Sequence, residues 1–171
     1  MKTSIEYGTE CGRVVAGVIL AALLSAPVIA LGQSLKEGIV GPWRTVSFYT
    51  EEGGVKRYLY GEKPLGLTLF DRSGYVISFL TIPQLPKFAV NNRLKGTDAE
   101  YRVVMVNMLS QFGTYTVEGD TVTVKWIASS FPNRAGTTEK RTYKIKGNEM
   151  TSVNPTAAGG GTAYQGYVRA K

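Results

Sequence analysis

The stretch TVTVKWIA, residues 121–128, alternates between polar and apolar side chains. Val122, Val124 and Trp126 fall on one face of an extended chain, and most of the residues between them are polar and fall on the other. This period of two predicts a strand with one face buried against a core. Residues 142–146 repeat the pattern, with Tyr143 and Ile145 on the apolar face. The sequence therefore favours β-structure.

Further strands are expected at short intervals along the chain. We predict them near residues 43–50, 55–60, 65–71, 75–81, 113–118, 121–128, 139–146, 149–153 and 162–169. Turn-forming pairs such as Gly53-Gly54 and Gly147-Asn148 separate them and favour hairpins. So many strands in a short chain would leave exposed edges unless the sheet closes. We therefore predict an all-β fold, an antiparallel barrel of about eight or nine strands that can enclose one small ligand.

One α-helix is expected to interrupt the barrel. Thr97 and Glu100 have the spacing of a capping box, which marks a helix start. Four large side chains then share one stripe at helical spacing: Tyr101, Met105, Met108 and Phe112. Gly113 stands where a C-terminal glycine cap belongs. The pattern predicts a helix from about Thr97 to Phe112. Its methionines are expected to pack on the barrel wall. A proline-interrupted loop at residues 82–88 is expected to precede it.

Residues 1–32 have the layout of a secretory signal peptide. Lys2 and Arg13 precede an apolar run at residues 14–31, and cleavage is favoured after Ala30 or Gly32. An uncleaved membrane anchor is the alternative, since the run barely reaches the length of a bilayer span. The favoured interpretation is an exported protein, periplasmic or secreted. Its mature part, residues 33–171, would form the barrel domain with no stable membrane insertion after cleavage.

Composition excludes several classes of chemistry. The net charge is +7, but the basic residues are scattered almost singly, which favours a solvated basic surface over a nucleic-acid interface. The chain has no histidine, and its one cysteine, Cys11, lies in the predicted leader. Histidine or cysteine catalysis and ordinary zinc ligation are therefore not expected. No phosphate-binding glycine motif occurs either. The sequence predicts no cofactor, no metal and no catalytic residue.

Gly41-Pro42-Trp43 opens the first predicted strand, and Arg169 lies near the end of the last. This pattern resembles the lipocalin superfamily, whose G-x-W signature places a tryptophan across the closed end of the barrel beneath a basic side chain. With residues 66–75, 112–115 and 131–137 in the same order, the chain is similar to bacterial lipocalin-like domains from about Gly41 to Arg169. The resemblance implies the fold more than an activity, because the superfamily includes both carriers and a few enzymes.

The aromatic residues suggest a ligand. Ten tyrosines and two tryptophans suit a cavity with aromatic walls and a few hydroxyls to orient a guest. The candidates for lining or rimming it are Arg44, Tyr49, Tyr75, Tyr115, Trp126, Arg141 and Tyr143. The favoured hypothesis is a carrier for a small apolar or aromatic molecule. Two alternatives are open: an isomerase- or cyclase-type enzyme, which needs a buried carboxylate or tyrosine with a displaced pKa, and an interaction module whose interior is filled.

Overall fold

The computed structural model describes Met1 and residues 34–171, so the predicted leader, Met1 apart, lies outside the described residues. The strands are β1 Gly41–Glu52, β2 Val55–Arg57, β3 Leu65–Phe70, β4 Tyr75–Thr81, β5 Met108–Glu118, β6 Thr121–Ser129, β7 Thr138–Lys146, β8 Glu149–Asn154 and β9 Thr162–Arg169. The helices are α1 Leu35–Gly38, α2 Asp98–Asn107 and a 3₁₀ helix, Pro132–Arg134. Within this described part, no helix has both the length and the apolar character needed to cross a membrane.

The sheet closes on itself. Neighbouring strands pair antiparallel in the order β1-β3-β4-β5-β6-β7-β8-β9, and β9 pairs back onto β1 from Trp43↔Arg169 to Glu51↔Thr162. Eight strands thus form a closed barrel, which satisfies the backbone groups of both edges. The extra strand, β2, pairs only with the end of β1 and stops at Arg57 rather than at residue 60. The predicted all-β antiparallel barrel is confirmed.

Helix α2 begins where the capping box placed it but ends early. The Thr97 hydroxyl accepts a hydrogen bond from the Glu100 amide, and the Glu100 carboxylate accepts one from the Thr97 amide at 2.7 Å. The helix ends at Asn107, and the chain is already extended at Met108. The predicted end at Phe112 is wrong because residues 108–114 pair with β4. The backbone hydrogen bonds of the sheet outweigh the local helical pattern.

Gly113 is not a helix cap. It lies in β5 where the register with β6 shifts, and a Cβ atom there would collide with the carbonyl oxygen of Lys125. The predicted packing of the helix methionines is also wrong. No side chain of α2 is buried, and Met105 is 56% exposed.

The barrel interior has two regions. Around the end that holds Trp43, large apolar side chains pack into a core: Ile39, Trp43, Phe70, Val76, Val122, Val124, Trp126, Tyr143, Met150 and Tyr167. Toward the opposite end, the buried side chains are mainly polar or charged: Thr50, Gln111, Arg134, Glu139, Arg141, Ser152, Asn154 and Gln165. Buried polar groups are costly unless they are paired, so this second region is the place to look for function.

Candidate functional site

A cavity lies within the polar region, at the end of the barrel remote from Trp43. Its walls come from the later half of β1, from β4, β5, β7 and β8, from the start of β9 and from the 3₁₀ helix. The loops at residues 58–60 and 157–159 lie at its mouth. About 50 Å³ is open to the centres of water molecules, which is room for a few waters. The wider space, including solvent at the mouth, is about 570 Å³. The smaller volume is the better measure of what fits without movement, since the larger one extends outside the protein.

Three charged side chains meet beside this cavity: Arg134, Glu139 and Arg141, which we call the charged triad. Arg141 donates to Oε2 of Glu139 from Nη2 at 2.8 Å and from Nε at 3.2 Å. Arg134 forms an ion pair with the other carboxylate oxygen, Oε1. Asn154 also donates to Oε2, at 3.3 Å. The carboxylate of Glu139 is thus engaged on both oxygens, and all three charged groups are at most 10% exposed.

The local backbone explains why the triad assembles. Glu139 and Arg141 are two residues apart on β7, so both side chains point into the barrel. Arg134 ends the 3₁₀ helix that begins at Pro132, and its carbonyl accepts a hydrogen bond from the Thr137 hydroxyl at 2.7 Å. This bond holds the turn between β6 and β7. The Arg134 guanidinium can therefore reach into the barrel from the mouth.

Trp126 packs against both arginines. The guanidinium carbons of Arg134 and Arg141 lie 5.8 and 5.5 Å from the centre of its ring. These distances are within the range of cation–π attraction. The tryptophan thus separates the apolar core from the charged triad and contributes to holding the two cations.

The environment shifts the ionisation of the groups around the cavity. Burial lowers the pKa of Arg134, and the charge of Arg141 lowers it further, whereas Glu139 opposes the shift. Burial raises the pKa of Tyr60, which lies at the mouth, against the influence of Arg134. Tyr60 is therefore neutral at physiological pH. No cluster of residues suited to hold a metal ion occurs within residues 34–171.

The opposite end of the barrel is closed by Trp43 and Arg169. The guanidinium carbon of Arg169 lies 4.1 Å from the centre of the Trp43 ring, the arrangement that the lipocalin resemblance implied. Gly41 leaves room for it, because a Cβ atom there would lie 3.1 Å from Nη1 of Arg169. Gly41 also has a φ of 113°, which an L side chain rarely adopts.

The seven predicted lining residues divide into two groups. Four point into the barrel: Tyr115, Trp126, Arg141 and Tyr143. Of these four, only Arg141 borders the cavity; Trp126 and Tyr143 belong to the packed core, and Tyr115 packs against that core. Three are placed on the outer surface rather than in the interior: Arg44, Tyr49 and Tyr75.

The outward placement of these three residues has a simple cause. Arg44 lies between two buried residues of β1, and Tyr75 directly precedes a buried residue of β4. Because successive side chains of a strand point to opposite faces, both point outward. Tyr49 would follow Trp43 and Thr45 inward by alternation, but a register shift between Thr45 and Ser47 reverses the pattern. Phe48 and Thr50 therefore border the cavity instead. Tyr49 stacks outside on Tyr164, with ring centres 5.0 Å apart.

Sequence reasoning missed most of the polar site. Glu139 could have been found, because it shares the inward alternation of Arg141 and Tyr143 on a predicted strand. Gln111 fell inside the stretch predicted to be helix, so its inward position on β5 was hidden. Arg134 lies in a 3₁₀ turn, where no periodic pattern indicates the direction of a side chain.

A closed eight-stranded antiparallel barrel, sealed at one end by a tryptophan under an arginine and hollow at the other, defines a lipocalin-like protein. Residues 40–167 match the family model described as "Lipocalin-like domain". The chain therefore belongs to the family of lipocalin-like domains. No curated protein matches the chain.

Proposed function

We propose that this protein is a carrier that holds one small, largely apolar or aromatic molecule in the cavity of its barrel. The observation that carries the proposal is that the interior has an apolar core at one end and a polar cavity at the other. A barrel built only for stability would continue its apolar packing to both ends. Phe48, Leu80 and Leu109 add apolar surface to the same cavity that the polar groups line. Such a mixture of apolar surface and a few polar groups is typical of ligand pockets.

Entry of a ligand requires the mouth to open. The loops at residues 58–60 and 157–159 meet where Leu59 approaches Gly159, so closely that a Cβ at Gly159 would lie 2.8 Å from the Leu59 side chain. Both segments are turns rather than strands, so they can move without breaking the hydrogen bonds between the barrel strands. We propose that separation of Leu59 from Gly159 enlarges the present 50 Å³ to admit a guest.

The carrier hypothesis is preferred to an enzyme. An acid–base catalyst in this cavity would need a carboxylate free to exchange a proton. Glu139, the buried carboxylate of the charged triad, is held by two guanidinium groups and an amide. Both of its oxygens are therefore already engaged as acceptors, which favours a structural role.

The test is native mass spectrometry of the full-length gene product purified from its own host, followed by identification of any co-purifying small molecule. A thermal-shift survey of lipids, quinones and aromatic compounds accompanies it. We expect a single bound species or a stabilising compound. Absence of both would overturn the carrier proposal.

Export is the second part of the proposal and rests on the predicted leader at residues 1–32. We propose cleavage after Ala30 or Gly32 and a periplasmic or secreted mature protein. N-terminal sequencing of the protein from fractionated host cells tests this. A mature chain in the envelope or medium that starts at residue 31 or 33 is expected. A chain that still begins at Met1 would contradict the proposal.

A further inference from the structure

The charges that border the cavity are unbalanced. Among the described residues, its lining includes two arginines, Arg134 and Arg141, and no aspartate or glutamate. Glu139 pairs with both guanidinium groups but is not itself part of the lining. Two cations against one carboxylate leave one positive charge in the charged triad.

Within residues 34–171, the other buried groups around the triad carry no charge that would balance this excess. Burial raises the pKa of Tyr60, and it raises that of Tyr167 well above the ordinary value, so both phenols are neutral at physiological pH. The other polar side chains around the triad are neutral amides and hydroxyls, such as Gln111 and Ser152. An uncompensated buried charge is costly, and a bound counter-charge relieves that cost.

The two guanidinium groups also keep donors available. Arg141 uses Nε and Nη2 on Glu139, and Arg134 uses Nη1 on Gln111 and Nη2 on Glu139. Nη1 of Arg141 and Nε of Arg134 therefore make no hydrogen bond to any residue in the described part of the chain. Guanidinium donors recognise carboxylates and related oxyanions especially well.

Taken together, the geometry points to a ligand that carries one oxyanion group, a carboxylate, bound by Arg134 and Arg141 with its apolar body toward Phe48, Leu80 and Leu109. This inference rests on the proposed carrier function and adds the chemical class of the ligand. The single negative charge of the ligand would neutralise the triad. Its apolar part would lie along the apolar wall of the same cavity.

The test compares matched probes that differ only in charge: 1-naphthoate with 1-naphthalenemethanol, and decanoate with 1-decanol. Isothermal titration calorimetry at pH 7 measures each dissociation constant. We expect the carboxylate of at least one pair to bind the parent protein about tenfold or more tightly than the alcohol, because an ion pair near buried arginines is weakly screened.

Two variants move the charge of the triad in opposite directions. Arg134→Gln leaves one arginine against Glu139, so the preference for the carboxylate should fall to about twofold or less. Glu139→Gln leaves two unpaired arginines, so the preference should increase. Arg44→Gln makes the same charge change on the outer surface and should leave the preference unchanged.

The outcomes separate the two proposals. Equal binding of acid and alcohol by the parent overturns the oxyanion inference and leaves the carrier function standing. An unaltered preference in folded Arg134→Gln also overturns it. If neither member of either pair binds, and the thermal-shift survey finds no ligand, the carrier function itself fails. Even if Glu139→Gln does not fold, the comparison of carboxylate and alcohol binding by the parent protein still tests the oxyanion inference.

Discussion

Arg169 lies over the face of Trp43 and at the same time donates to two backbone carbonyls, those of Val40 at 3.0 Å and Gly38 at 2.5 Å. Trp43 in turn donates from Nε1 to the carbonyl of Ile39 at 2.7 Å. Arginine and tryptophan together thus tie the segment that precedes β1 to the end of β9. This closed end is physically separate from the cavity at the other end.

We expect Trp43→Ala to lower the free energy of unfolding by about 3–5 kcal/mol, as large aromatic truncations in cores do. Trp43 is fully buried, so the space it leaves cannot be filled without repacking. Urea denaturation checks the value. Ligand affinity of the folded fraction should be unchanged; a variant that unfolds like the parent but no longer binds would contradict the structural role of Trp43.

Gly113→Ala should destabilise the barrel by about 1–3 kcal/mol, because an added methyl group has no space against the Lys125 carbonyl. The strain should loosen the pairing of β5 with β6. Hydrogen exchange of the backbone amides in β6 measures this effect. Thr116→Ala, an exposed position on the same strand, is the control and should behave like the parent. Equal exchange rates in both variants would refute the close contact.

Leu59→Ala should open the mouth of the cavity. Removing the side chain that approaches Gly159 widens the entrance without touching a barrel strand. Stopped-flow measurement of ligand association should show a rate increased severalfold, with little change in melting temperature. Leu65→Ala, on the outer face of β3 at 53% exposure, is the matched control. An unchanged association rate in Leu59→Ala would mean that ligands enter elsewhere.

Stability should fall above about pH 10, the ordinary pKa of tyrosine, because burial raises the pKa of Tyr167 in the folded state. The unfolded chain releases its proton there while the folded chain retains it, so each further pH unit favours unfolding. Tyr167→Phe should reduce this slope between pH 10 and 11 in urea titrations. Tyr75→Phe, half exposed, should not. Parallel slopes for all three proteins would disprove the buried-phenol explanation.

Strand alternation and turn chemistry were sufficient to predict the barrel, since Val122, Val124 and Trp126 occupy the inward positions that their spacing indicated. The G-x-W resemblance likewise located the contact between Trp43 and Arg169. The site was harder to predict because it depends on departures from regularity. The register shift after Thr45 turned Tyr49 outward, and pairing with β4 converted the predicted end of the helix into β5. Neither event leaves a local signal.

We expect the ligand to lie inside the barrel, beside the charged triad. Methyl-labelled NMR tests it most directly, in a titration with the compound that stabilises the protein most in the thermal-shift survey. Saturable shifts are predicted for the inward methyl groups of Leu80, Leu109 and Ala163, with the outward groups of Leu65 and Leu67 unaffected. Saturable shifts confined to Leu65 and Leu67 would contradict the account, because the compound would then bind the outer wall.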